Sequence, residues 1–186
     1  MSILQRTVGL TVNTVAGSLF RNFVADTRRA SEVEELVLMN ILAENKNTEY
    51  GLRHRFAGIT SKKEYKEAVP LSTYENYRKD IARLAAGETN ILTSEPVKYF
   101  GLTSGTTGTQ KMIPVTPRSH RIVMEHMGLL MQGVLFNIIP DSRRFDRGLM
   151  LFNTGASGLT PAGIPTGAGT SGGMQSMKRL FPYLWT

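Results

Sequence analysis

Residues Thr103-Ser104-Gly105-Thr106-Thr107-Gly108-Thr109-Gln110-Lys111 bring together five hydroxyl side chains, two glycines and one lysine. Such a loop can turn successive backbone N–H groups inward, because Gly105 and Gly108 tolerate positive φ and close approach. Inward N–H groups form an anion-binding concavity, the hydroxyls add donors, and Lys111 adds a point charge. That chemistry suits a polyphosphate. Ser, Thr and Gly are also ordinary residues of a β-hairpin connection, so composition alone leaves both readings open. The residue order excludes a Walker A loop. Two residues separate Gly108 from Lys111, and Met112 follows the lysine where that motif requires Ser or Thr.

Other residues that could do chemistry carry weaker signals. His120 and His126 are six apart on a predicted helix, about 240° around its axis, and do not face one ligand. Met124, Met127 and Met131 recur at helical spacing, which predicts core packing, with a minority reading as the lining of an apolar pocket. Gly167-Ala168-Gly169-Thr170-Ser171-Gly172 fits Gly-x-Gly-x-x-Gly, but no apolar strand leads directly into it. Only fourteen residues follow Gly172 in a chain of 186, too few for the acidic ribose partner of a dinucleotide site. The mixed-charge run Asp141 to Arg147 reads as a solvated loop.

The elements that must position the Thr103–Lys111 loop can be read on either side of it. The apolar run Val97 to Leu102 enters it as a strand, and 111–115 returns as a second strand. Thr116-Pro117 is an N-cap followed by proline at the first helical position, opening a long helix to about Ile138. Upstream, Ser31-Glu32-Val33-Glu34 is a capping-box pattern, and Val33, Leu36, Val37 and Ile41 predict a helix over 31–45 with one buried face. Ser61 to Glu64 opens a short helix that stops before Pro70. Ser72 to Glu75 opens another, running to about Ala86 and ended by Gly87. Ile91-Leu92-Thr93 suggests a short strand, and Gly148 to Phe152 a buried one. The Gly/Ser/Thr-rich stretch 153–173 resembles a flexible linker in composition. Helices and strands alternate around a loop at a strand end, which predicts an α/β class.

Composition bounds the partners. A chain of 186 residues fits one domain with a single substantial core. Without cysteine, a disulfide framework or thiolate metal site is excluded, which suits a cytoplasmic protein. The formal charge of +7 favours anionic partners. The basic pairs Arg28-Arg29, Lys62-Lys63 and Arg143-Arg144 are scattered, without aromatic interleaving or a groove-binding motif, and argue against nucleic acid. Residues 1–30 form an N-terminal helical segment, mildly apolar at its start. Thr11, Asn13 and Thr14 interrupt it, so it predicts an amphipathic helix against the domain or a bilayer surface rather than a membrane span. Phe181 to Thr186 is an aromatic-rich stop unlike the usual polar tail, which predicts a chain cut from a longer one.

The loop order resembles the phosphate loop of the adenylate-forming enzymes, most of which have proline where this chain has Gln110. Further segments line up ahead of it: Asn47-Thr48-Glu49-Tyr50-Gly51, Phe56 with Ile59, Val69-Pro70-Leu71 with Tyr74-Glu75, and Gly87-Glu88. Lys111-Met112-Ile113-Pro114 and Thr160-Pro161-Ala162-Gly163-Ile164-Pro165 follow. From about residue 35 onward this ordered set resembles the auxin-responsive promoter family, the acyl acid–amido synthetases of the adenylate-forming superfamily. The resemblance implies that 31–186 is the N-terminal, incomplete part of that superfamily's large domain, with the C-terminal domain absent. It implies ATP and magnesium as cofactors. A carboxylic acid would be activated as an acyl-adenylate, then conjugated to an amino acid. Ser104, Gly105, Thr106, Thr107, Gly108 and Lys111 would hold the ATP phosphates, and the stretch 155–173 would border the substrate site. In some plant members an arginine after the loop meets the substrate carboxylate; the corresponding Gly128-Leu129-Leu130 has no basic residue. A non-catalytic protein that only binds anions or a partner is the competing expectation.

Overall fold

The computed structural model describes residues 3–103, 110–139 and 158–169. Its helices are α1 (Ile3–Thr27), α2 (Ala30–Asn45), α3 (Glu49–Arg53), α4 (Lys62–Ala68) and α5 (Tyr74–Ala85) before the first strand. Strands β1 (Tyr99–Leu102) and β2 (Met112–Val115) follow, then α6 (Pro117–Val123), a π-helical stretch (Met124–Leu130), α7 (Met131–Ile138), β3 (Gly158–Leu159) and β4 (Pro165–Ala168). The expected mixture of helix and sheet is present.

Among the described residues four strands form one sheet in the order β2-β1-β4-β3. β1 pairs antiparallel with β2, placing Tyr99 opposite Val115 and Leu102 opposite Met112. On its other side β1 pairs in parallel with β4, Phe100 beside Thr166 and Leu102 beside Ala168. β3 closes the far edge antiparallel to β4. The stretch whose composition suits a linker thus supplies a strand next to β1, with Thr166 and Gly167 buried. Its parallel neighbour β1 and antiparallel neighbour β3 supply the hydrogen-bond partners that its glycine-rich sequence does not advertise.

The main core lies where α5 covers this sheet. Ile81, Leu84 and Ala85 of α5 bury against Ile91, Val97 and Phe100, with Tyr74, Tyr77, Met112 and Ile164 packed around them. Phe100 and Ile91 are fully enclosed, each such burial stabilising by roughly 1.5–3 kcal/mol. Ile91 does not belong to a strand. Its carbonyl accepts from Tyr50 N at 2.9 Å and that of Asn90 from Glu49 N at 3.0 Å, so this segment is spent on the start of α3. A second cluster, Leu42, Phe56 and Ile59, packs with Leu38, Met39, Tyr50, Tyr65 and Val69.

That cluster corrects the predicted face of α2. Leu36, Val37 and Ile41 are exposed, while Leu38, Met39 and Leu42 face inward. The helix is apolar on two sides, and the turn at Phe56–Gly58 packs on the second of them. Nor does Ser31 cap this helix: it lies inside it, after the N-cap Arg29, and the Glu34 carboxylate pairs with Lys62 Nζ at 2.5 Å. The Ser61 cap forms as expected, accepting from Glu64 N at 3.2 Å. α5 opens one residue later than its pattern implies, from Thr73, whose N–H donates to Asn76 Oδ1 at 2.8 Å. Gly87, at φ +97°, follows its end.

The Thr116 cap and Pro117 start the long helix as predicted, and helix continues through the π stretch to Ile138. α1 packs along the π stretch and α7, so the N-terminal helix lies on the domain. Among the described residues no helix is long and apolar enough to cross a membrane. The expected strand at Gly148–Phe152, the charged loop Asp141–Arg147 and the aromatic tail at 181–186 lie outside the described residues.

Candidate functional site

β1 and β4 run in parallel, so Leu102 and Ala168 finish side by side at one end of the sheet. The Thr103–Lys111 loop leaves from β1 at that end, and the glycine-rich segment from Gly169 leaves from β4. In open α/β sheets ligands bind outside the carboxyl ends of parallel strands. A Cβ at Gly101 would lie 3.2 Å from Gly169 Cα, so its missing side chain lets the two exits approach closely. Tyr99, buried in β1, donates its hydroxyl to Ala168 O at 3.0 Å and fixes the end of β4.

Of the expected phosphate ligands, Ser104, Gly105, Thr106, Thr107 and Gly108 lie outside the described residues. Lys111 is described, and so is the base of the loop. Thr103 N donates to Lys111 O at 3.1 Å, and Lys111 N donates to Thr103 Oγ1 at 3.2 Å. These two bonds close the base of the loop as a hairpin connection. Lys111 is exposed, and its Nζ lies 5.4 Å from the centroid of the Tyr74 ring. Among the described residues no carboxylate pairs with it. Downstream, Arg118 is tied to Glu44 through its guanidinium and to Glu95 through its backbone N at 2.8 Å, which anchors the exit of β2.

Two tyrosines were not singled out from the sequence as site residues. Tyr74 appeared only as part of a motif, and Tyr99 only as part of an apolar run. The one signal for them was position: each stands in or beside a segment that the loop depends on.

The remaining polar clusters are structural ties. Arg83 grips Glu49 with two bonds of 2.7 Å and Glu88 at 2.7 Å, which joins α3 to α5. The hydrogen bond from Arg83 holds the Glu49 carboxyl below its ordinary range. Burial, then the Tyr77 hydroxyl 3.1 Å away, raises the Tyr50 hydroxyl well above the ordinary phenol range. His54 and His126 each place Nδ1 against a backbone carbonyl, of Ala68 and Ile122 respectively. Among the described residues no three His, Asp or Glu side chains gather to hold a metal ion. Met127 and Met131 are exposed at 69% and 48%, which corrects the core-packing expectation for them. A depression of 390 Å³ lined by Arg55, Gly58, Ile59, Glu64, Glu67 and Ala68 shares no residue with the loop.

A helix-covered mixed sheet with two segments leaving the carboxyl ends of adjacent parallel strands defines an α/β scaffold. The chain belongs to the GH3 family, matching its N-terminal domain over residues 19–186. That match begins inside α1, earlier than the residue-35 start given by the motifs. The probable indole-3-acetic acid-amido synthetase GH3.2 of Oryza sativa subsp. japonica is 32% identical over 140 residues, covering 75% of this chain and 23% of that protein. Indole-3-acetic acid-amido synthetase GH3.2 of Arabidopsis thaliana is 40% identical over 90 residues, 47% of this chain and 16% of the relative. The solved structure of AtGH3.15 acyl acid amido synthetase in complex with 2,4-DB superposes with a TM-score of 0.70 and 28% identity, over 81% of this chain and 26% of that one. The chain thus corresponds to about the N-terminal quarter of these relatives, and its fold is that of their N-terminal portion.

Proposed function

We propose that this chain is the phosphate-gripping part of an ATP-dependent ligase that activates a carboxylic acid as an acyl-adenylate and passes it to an amino acid. In the first step a carboxylate oxygen attacks the α-phosphorus of ATP and pyrophosphate leaves. In the second an amine attacks the acyl carbon, giving an amide and AMP. Ser104, Gly105, Thr106, Thr107 and Gly108 would offer N–H and hydroxyl donors to the phosphates, and Lys111 its ammonium. The observation that carries this reading is the pairing of an exposed Lys111, which has no carboxylate partner among the described residues, with a loop base closed at the carboxyl end of β1. A cation and neutral donors without a nearby carboxylate fit phosphate oxygens. Magnesium would arrive on those phosphates, where it neutralises charge. Both steps then depend on positioning and on stabilising developing charge.

Titration of ATP–Mg into the chain, and exchange of labelled pyrophosphate into ATP by the parent protein, test this. Lys111→Ala should weaken both by about tenfold to a hundredfold, the scale of one charge-assisted contact. Equal binding and exchange by the variant would remove the assigned role.

A further inference from the structure

We propose that Tyr74 is the positioning residue of Lys111, holding the backbone of its neighbour Met112 and its own ammonium at the base of the loop. The functional part of this inference rests on the ATP reading above. Among the described residues β2 is an edge strand. Because Thr103 and Lys111 already bond across the hairpin, the neighbouring pair Leu102 and Met112 falls at a non-bonded position of the ladder. The N–H and C=O of Met112 therefore point away from β1, where an edge strand has no partner. The Tyr74 hydroxyl occupies that place. It accepts from Met112 N at 3.0 Å and lies 3.5 Å from Met112 O, to which it can donate. One phenol thus does for residue 112 what a fifth strand would do.

The same ring lies beside the Lys111 ammonium at 5.4 Å from its centroid, within cation–π range. A second cation, Arg78, lies 6.0 Å from that centroid, but Glu75 holds its guanidinium at 2.7 Å. The ring is itself fixed, since Tyr74 opens α5 and packs against the main core. Lys111 is consequently held from two sides, by Thr103 through its backbone and by Tyr74 through its neighbour and its charge. A long, exposed lysine loses rotamer freedom when it grips a ligand, and this arrangement removes part of that freedom beforehand.

The test uses the 186-residue chain with Tyr74→Phe, which keeps the ring, and Tyr74→Leu, which removes it. ATP–Mg titration should show affinity falling about threefold in the first and about tenfold in the second, from the scale of a hydrogen bond and a cation–π contact. In a Lys111→Ala background both substitutions should have no further effect, a coupling that mere packing would not produce. By NMR the Lys111 ε-protons should be shifted upfield by the ring in the native chain and in Tyr74→Phe, and return to the ordinary position in Tyr74→Leu. The Met112 amide should lose exchange protection in both variants. Equal affinity of Tyr74→Leu and the native chain, or equal losses with and without Lys111, would overturn the role toward ATP. Absence of native ATP binding would instead sink the ligase reading, and the NMR shifts would then decide the positioning role alone. Unshifted ε-protons and an unprotected Met112 amide in the native chain would end it.

Discussion

Thr48 shows how a motif residue can be structural rather than catalytic. It belongs to Asn47-Thr48-Glu49-Tyr50-Gly51, a segment that resembles its family without any stated chemical reason. In the fold it is fully enclosed, accepting from Gly51 N at 2.9 Å and donating to Asn45 O at 2.8 Å. One hydroxyl therefore caps α3 and ties it to the end of α2. Thr48→Val keeps the volume and loses both bonds, leaving a buried N–H and C=O without that partner. Urea unfolding should show a loss of about 1–3 kcal/mol. Thr48→Ser should lose less, because the hydroxyl remains; equal losses would mean that the methyl group, not the cap, matters. Lys111 is the contrasting case: its residue type and spacing suggest the role proposed for it, whereas the Tyr74 phenol beside it could not be read from spacing, since 37 positions separate them.

At the scale of elements, start signals were legible in part: the Ser31 pattern does not cap α2, and α5 starts from Thr73 rather than Ser72. Ser61 and Thr116-Pro117 cap helices as their patterns predict, because a cap depends on neighbours three residues away. The buried face of α2 was not legible, because apolar residues stand on two sides and only the returning turn at Phe56 selects between them. Helix against helix, the decisive residue is small. Gly133 of α7 is buried against α1, and a Cβ there would overlap the Ala16 carbonyl oxygen and lie 3.0 Å from Phe20 Cβ. Backbone cannot rotate aside as a side chain can. Gly133→Ala should therefore push α1 outward and cost about 1–3 kcal/mol, despite the better helix propensity of alanine. Thermal unfolding and exchange of the α1 amides would register it. Unchanged stability with α1 equally protected would mean that the two helices do not pack this closely.

For the whole molecule, the α/β class and the loop at a strand end were legible, whereas the pairing that builds the site was not. β4 is Pro165-Thr166-Gly167-Ala168, with a single β-branched residue, and it becomes a strand only because β1, some 65 positions earlier, offers it an edge. The same long-range logic governs two of the charged contacts, while a third is local. Glu34 pairs with Lys62 across α2 and α4, Glu49 with Arg83 across α3 and α5, and Glu64 accepts from Thr60 N at 2.7 Å before α4. Hydrogen bonds from Lys62, Arg83 and the Thr60 backbone, respectively, lower these carboxyls below the ordinary glutamate value of 4.5. A lowered folded-state value means that the contribution is complete above pH 4.5 and is lost as pH falls through the folded value. Protonation also raises a formal charge that is already +7, which adds self-repulsion to the lost pairs. The urea midpoint should hold steady from neutral pH down to the glutamate range and then decline with further acid. Glu49→Gln should start lower at neutral pH and decline less, because one of the titrating pairs is already gone. High salt should shrink the difference between the two, since all three carboxylates are exposed to solvent and their attractions are screened. A midpoint that stays flat through the acid range, or a decline equally steep in Glu49→Gln and in the native chain, would show that these inter-helix pairs do not set the acid limit of the fold.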